Sequence, residues 1–157
     1  MNSDPAIRKI LCAIDFSKTS PRTLQEAFFL AGRLGAALLI VSVIDEHRYE
    51  DLERLAGRLA QPDVEKIVED AINNMESERV EELKSVLAAM ETRDVDHSSL
   101  ITVGIPWEKI LETADKEKVD LIVMGVKGHS RLAEQLRFGQ TAEKVFRRAK
   151  CRVLFIR

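Results

Sequence analysis

Residues 119–125 read Val-Asp-Leu-Ile-Val-Met-Gly, and the way they are covered decides the fold. After Asp120 the apolar residues do not alternate with polar ones. A strand built from them has to be covered on both faces, which is the habit of parallel sheets packed between helices. Working outward, residues 9–14 (Lys-Ile-Leu-Cys-Ala-Ile) repeat the pattern and stop at Asp15. Residues 37–44 repeat it and end at Asp45, and residues 152–156 (Arg-Val-Leu-Phe-Ile) do so once more. The weaker run Ser98–Val103 predicts a fifth strand.

Amphipathic segments lie between these runs. Ser20 followed by Pro21 reads as an N-cap with proline in the first helical position. Leu24, Ala27, Phe28, Ala31 and Leu34 then share a face, and Gly35 is suited to end the helix. Asp63 opens a long helix carrying Val64, Ile67, Val68, Ala71, Met75, Leu83, Val86 and Met90. Pro106 opens another, with Ile110, Leu111 and Ala114 inward. Residues 141–148 form the last, with Ala142, Val145 and Phe146 inward. Within residues 46–62, Leu52, Leu55, Ala56 and Leu59 have helical spacing. Such a helix either packs on the sheet or covers the strand ends as a lid. Strands alternating with helices give an α/β fold: a doubly wound, five-stranded parallel sheet with helices on both faces, Rossmann-like, in one domain over residues 1–157.

Composition narrows the function. The chain has 157 residues with 24 Lys plus Arg against 26 Asp plus Glu, and this near balance gives no general attraction to nucleic acid or an acidic membrane. No apolar run approaches the ~20 residues that span a bilayer. Met1-Asn2-Ser3-Asp4-Pro5 lacks the basic and apolar regions of a signal peptide, so a cytoplasmic location is expected. Cys12 and Cys151 are too far apart in sequence for a Cys-type zinc site, and Cys12 reads as inert core. His47 and His97 have no metal-ligand spacing. Trp107, in a helix's first turn, reads as a packing residue.

Open parallel sheets bind ligands beyond the carboxyl ends of their strands. Asp15, Asp45 and Gly125 project there. Gly125 begins a basic connection running through Lys127, Gly128, His129, Arg131 and Arg137 to Gly139, Gln140 and Thr141. It ends at a helix N-terminus, whose free N–H groups suit an anion. By itself Gly-x-x-Gly serves equally as a phosphate cradle or as a turn. Asp15 is either a ligand contact or a cap for the following turn through Ser17 or Thr19. His129 is either a phosphate contact or an exposed loop histidine. No P-loop, dinucleotide fingerprint or nucleophile elbow occurs.

Four segments resemble one family. Ile10-Leu-Cys-Ala-Ile-Asp15-Phe-Ser17 looks like the opening of universal stress protein domains. Gly104-Ile-Pro106 is similar to their Gly-x-Pro helix opening, Asp120–Gly128 to their fourth strand and loop, and Lys150–Ile156 to their last strand. The resemblance covers essentially the whole chain. It implies a homodimer and, in some members, ATP or another adenine nucleotide, with Mg2+ as a companion ion. Carried over by position, Asp15, with Ala13 beside it, contacts the nucleotide and the Val43 backbone faces adenine. Met124, Gly125, Gly128 and Gly139 then shape the phosphate pocket, with His129, Gln140 and Thr141 at its rim.

The ATP-binding pattern is Gly-x2-Gly-x9-Gly followed by Ser or Thr. Here ten residues separate Gly128 from Gly139, and Gln140 stands where the hydroxyl belongs. Either a bulge absorbs the extra residue and Thr141 supplies the hydroxyl, or the donors move off the phosphates. The reading is a nucleotide-gated regulatory protein with an unidentified protein partner and no catalytic residues. The alternative is a dimeric interaction module that binds no nucleotide. A hydrolase acting on an adenylated substrate is the third reading, and no nucleophile–base pair supports it. The final strand, apolar on both faces, reads as a sheet edge, and pairing of residues 152–156 across a two-fold axis would cover it.

Overall fold

A computed structural model describes residues 6–58, 63–90, 92, 94–127 and 138–157. Five strands, β1 (Lys9–Ile14), β2 (Ala37–Asp45), β3 (His97–Gly104), β4 (Leu121–Gly125) and β5 (Arg152–Ile156), form one sheet. All pairs are parallel, in the order β3-β2-β1-β4-β5. The expected doubly wound architecture is therefore the observed one, and β5 is an edge.

Coverage follows strand position. β1 and β4 lie inside the sheet and are almost wholly buried, which is why their sequences are apolar at successive residues. β5 alternates between exposed and partly covered positions until Ile156, which is buried. On one face Ile10, Cys12, Ile14, Leu38, Ile40 and Val123 pack against α1 (Ser20–Leu34) and α3 (Val64–Ala88). On the other Leu11, Ala13, Leu39, Val41, Ile122 and Met124 pack against α4 (Pro106–Lys116) and α5 (Gln140–Arg148). Residues 46–62 contain the expected helix, α2 (His47–Arg58). Gly35 closes α1 in the left-handed region at φ 61°, with its amide on the Ala31 carbonyl.

Four expectations are corrected. The N-cap of α1 is Thr19, not Ser20, and Ser20 already belongs to the helix. Ser20 spends its hydroxyl on Asp15 instead of its own helix. Leu34 is 48% exposed because it is the last residue of α1, where the sheet beneath has ended. Ile67 is 47% exposed: the 25 residues of α3 extend about 37 Å, well beyond the strands they cover. Phe146 is 66% exposed, since α5 lies over the edge strand and, among the described residues, no helix covers its outer side. Its ring leans on Phe138 and Phe155, each 6.3 Å away.

Candidate functional site

The strand order sets the site before any side chain does. From β1 the sheet grows through β2 to β3, then restarts on the other side with β4 and β5. β1 and β4 are neighbours, yet the connections leaving their carboxyl ends diverge: β1 feeds α1 on one face and β4 feeds α5 on the other. That divergence opens a crevice at the topological switch point.

The turn after β1 makes one wall. Asp15 Oδ1 accepts the Ser17 amide at 3.0 Å and the Ser20 hydroxyl at 3.2 Å, an Asx turn. Phe16, between them, sits at φ 60°. This left-handed conformation costs a bulky residue roughly 1–2 kcal/mol. Arg79 of α3 meets both residues. Its Nη1 donates to the Asp15 carbonyl at 3.1 Å, and its guanidinium carbon lies 4.7 Å from the centre of the Phe16 ring. Thr19 Oγ1 shares a hydrogen bond with Ser17 Oγ at 3.0 Å and reaches the Lys127 carbonyl at 3.4 Å.

The connection after β4 makes the opposite wall. The Val126 amide donates to the Ile156 carbonyl at 2.9 Å, and the Gly139 amide donates to the Val126 carbonyl at 2.8 Å. The two ends of the glycine-containing connection are thus fastened together at the crevice. Gly139 is the N-cap of α5 and brings no side chain over the helix opening. The amides of the first turn, Gln140 to Ala142, have no partner within the helix and face that opening. Glu143, one turn in, donates its amide to the Gly139 carbonyl.

Small and apolar residues make the floor. Ala13 is in register with Val41 on one side and Met124 on the other. Val43, two residues further along β2, lies on the same face and is half-buried. Of the residues singled out in the sequence, Ala13, Val43 and Met124 share the α4/α5 face. Asp15 and Gly125 flank the mouth, and Gly139, Gln140 and Thr141 open α5. Gly128 and His129 lie outside the described residues. Gln140 is exposed and Thr141 half-buried. Phe16 and Arg79 are additions that periodicity could not supply, Arg79 being 64 residues from its partner Asp15.

Asp120, at the opposite end of β4, accepts the Arg8 and Lys9 amides at 2.8 and 3.0 Å, and these bonds hold its carboxyl below the ordinary range. Burial drives the Cys12 thiol far upward, as an inert core thiol requires. Trp107 packs under the Arg148 guanidinium, 4.4 Å from its ring centre. His47 Nδ1 pairs with Asp45 Oδ1 at 3.0 Å. Among the described residues no three His, Cys, Asp or Glu side chains are grouped to hold a metal ion, and no helix is long and apolar enough to cross a membrane.

Residues 6–157 match the family model described as the universal stress protein family. Universal stress protein MJ0577 of Methanocaldococcus jannaschii is 30% identical over 154 residues, covering 96% of this chain and 94% of the relative. A universal stress protein of Thermus aquaticus is 33% identical over 150 residues, covering 96% and 98%. The solved structure of MJ0577 superimposes with a TM-score of 0.80 at 25% identity, covering 96% of each chain. A universal stress protein solved in complex with cAMP shares the fold, with a TM-score of 0.60 at 24% identity, covering 96% of this chain and 97% of the other.

Proposed function

This chain belongs to the universal stress protein family, and from that premise we propose that it binds an adenine nucleotide, ATP in the first instance, in the crevice between β1 and β4. The carrying observation is that the Gly139–Val126 hydrogen bond sets the open end of α5 against this crevice. First-turn amides with no partner within the helix, and the positive end of the helix dipole, favour phosphate oxygens there. Gly139 leaves the approach clear, and Lys127 adds positive charge at the rim. The base lies along the floor, over the buried Ala13 and Met124 and beside the backbone of the half-buried Val43. Asp15, already fixed by Ser17 and Ser20, addresses the polar groups of the nucleoside.

These residues fit a nucleotide by their chemistry: a dry floor, an anion-binding helix end and one oriented carboxylate. They supply no nucleophile activated by a base, so the reading is regulatory binding and not catalysis. A nucleotide held against residues 125–139 changes the surface that those residues offer to a partner protein. The reading includes a homodimer formed through the open edge of β5.

Gln140 favours a second reading. An exposed amide side chain stands where the nucleotide-binding pattern has a hydroxyl, and the connection is one residue longer. On that reading the domain is an interaction module and the glycines serve the turn alone. Calorimetric titration of nucleotide-stripped protein with ATP, ADP and AMP separates the two. Stoichiometric ATP binding that Asp15→Ala abolishes supports the first. Binding absent from the parent and gained in Gln140→Ser supports the second.

A further inference from the structure

Arg79 is the one described residue outside the β1–α1 turn that both hydrogen-bonds to Asp15 and stacks on Phe16. It comes from the middle of α3, a 25-residue helix on the face opposite the proposed phosphate site. Its two contacts are made with different groups of two consecutive residues. The hydrogen bond fixes the Asp15 carbonyl, and the cation–π contact fixes the Phe16 ring. Between those groups lies the peptide that carries Phe16 into the left-handed region. A strained backbone persists only where surrounding contacts hold it. The Asx turn holds it from within, and Arg79 holds it from α3.

We propose that Arg79 is a positioning residue that clamps the β1–α1 turn and couples the crevice to α3. Released from Arg79, Phe16 relaxes toward negative φ, which carries the Ser17 amide away from Asp15 Oδ1, opens the Asx turn and frees the carboxylate. The coupling is reciprocal: a ligand that steadies Asp15 steadies α3, and a partner that engages α3 alters affinity in the crevice by the same factor. The second half of this inference rests on the nucleotide reading given above, whereas the clamp itself does not.

The test uses the full chain with Arg79→Met, which keeps a long apolar stem, and Arg79→Lys, which keeps the charge and a donor. Amide hydrogen exchange is followed over residues 15–20 and 72–86 with and without ATP. Without nucleotide, Arg79→Met should raise exchange at residues 15–20 at least roughly 5-fold, and Arg79→Lys should restore part of the protection. Unchanged exchange there overturns the clamp, whatever the protein binds. With ATP, the parent should gain protection across residues 72–86. Arg79→Met should lose that gain and bind ATP roughly 5- to 20-fold more weakly, within the range of such couplings. ATP binding with no effect of Arg79→Met on affinity or on α3 overturns the coupling and leaves the nucleotide reading standing. No ATP binding by the parent overturns that reading and the coupling together, and the exchange at residues 15–20 still decides the clamp.

Discussion

The hydroxyl of Thr19 occupies the space that a side chain on Gly125 would need: a β-carbon there would lie 2.9 Å from Thr19 Oγ1. Gly125 is therefore glycine because the β1–α1 turn presses against the end of β4. The same contact draws the two walls of the crevice together, so a residue first noticed as part of a phosphate loop also has a packing duty.

Gly125→Ala is expected to destabilise the fold by about 1–3 kcal/mol, the usual cost of overpacking. In a domain of this size each kcal/mol lowers Tm by roughly 2–4 °C. Thr19→Ala removes the obstructing hydroxyl, so the double variant should recover part of the loss. Thermal melts of the four proteins in the cycle measure the recovery, and strictly additive losses would refute the contact.

The β5 edge offers a test of the homodimer that spares the fold. The Arg152 amide donates to the Asp120 carbonyl, and the Ile156 carbonyl accepts the Val126 amide. Even-numbered residues of β5 thus bond to β4, and Val153 turns its amide outward. Val153→Pro removes an outward donor only, a substitution edge strands tolerate. Sedimentation equilibrium should show a dimeric parent and a monomeric, folded variant. A monomeric parent, or a variant that remains dimeric, counts against pairing through β5.

Asp120 fastens the start of β1 to β4 through two backbone amides, and its folded pKa lies below the unfolded value. A depressed carboxyl pKa contributes stability that is present above the unfolded value, about 3.9, and is lost as pH falls through the folded value. Asp120→Asn should therefore cost roughly 1 kcal/mol at neutral pH, given partial solvent access. The difference from the parent should shrink below about pH 4. Urea denaturation at neutral and acid pH measures it, and a difference independent of pH would contradict the assignment.

Both thiols are held above their ordinary pKa by burial, Cys12 completely and Cys151 partly. Ellman's reagent at pH 8 should label Cys151 slowly and leave Cys12 untouched in the native protein. Guanidinium should release both at once. Rapid native labelling of Cys12 would mean that the contact between α1 and the sheet opens readily.

Much of the sheet was legible because burial on two faces leaves its mark in consecutive residues. Val-Asp-Leu-Ile-Val-Met and Lys-Ile-Leu-Cys-Ala-Ile could be read as inner strands with no knowledge of their neighbours. The edge character of β5 was legible from its place after the final helix. Phe146 misled because its spacing fits an inward face, and periodicity carries no record of whether a helix lies over the middle of a sheet or over its rim.

The sequence by itself determined the strands, the helices, the capping glycine at position 35 and the glycines and acid at the strand ends, because each answers to local composition and backbone freedom. Only the tertiary structure decided that β1 lies beside β4, that Gly125 meets Thr19, and that Arg79 reaches Asp15 and Phe16. Thr19 and Lys127 are 108 residues apart, and Arg79 and Asp15 are 64 apart. Contacts at such separations are set by which strands pair and how helices cross them, and that choice minimises exposed apolar surface over the whole chain at once.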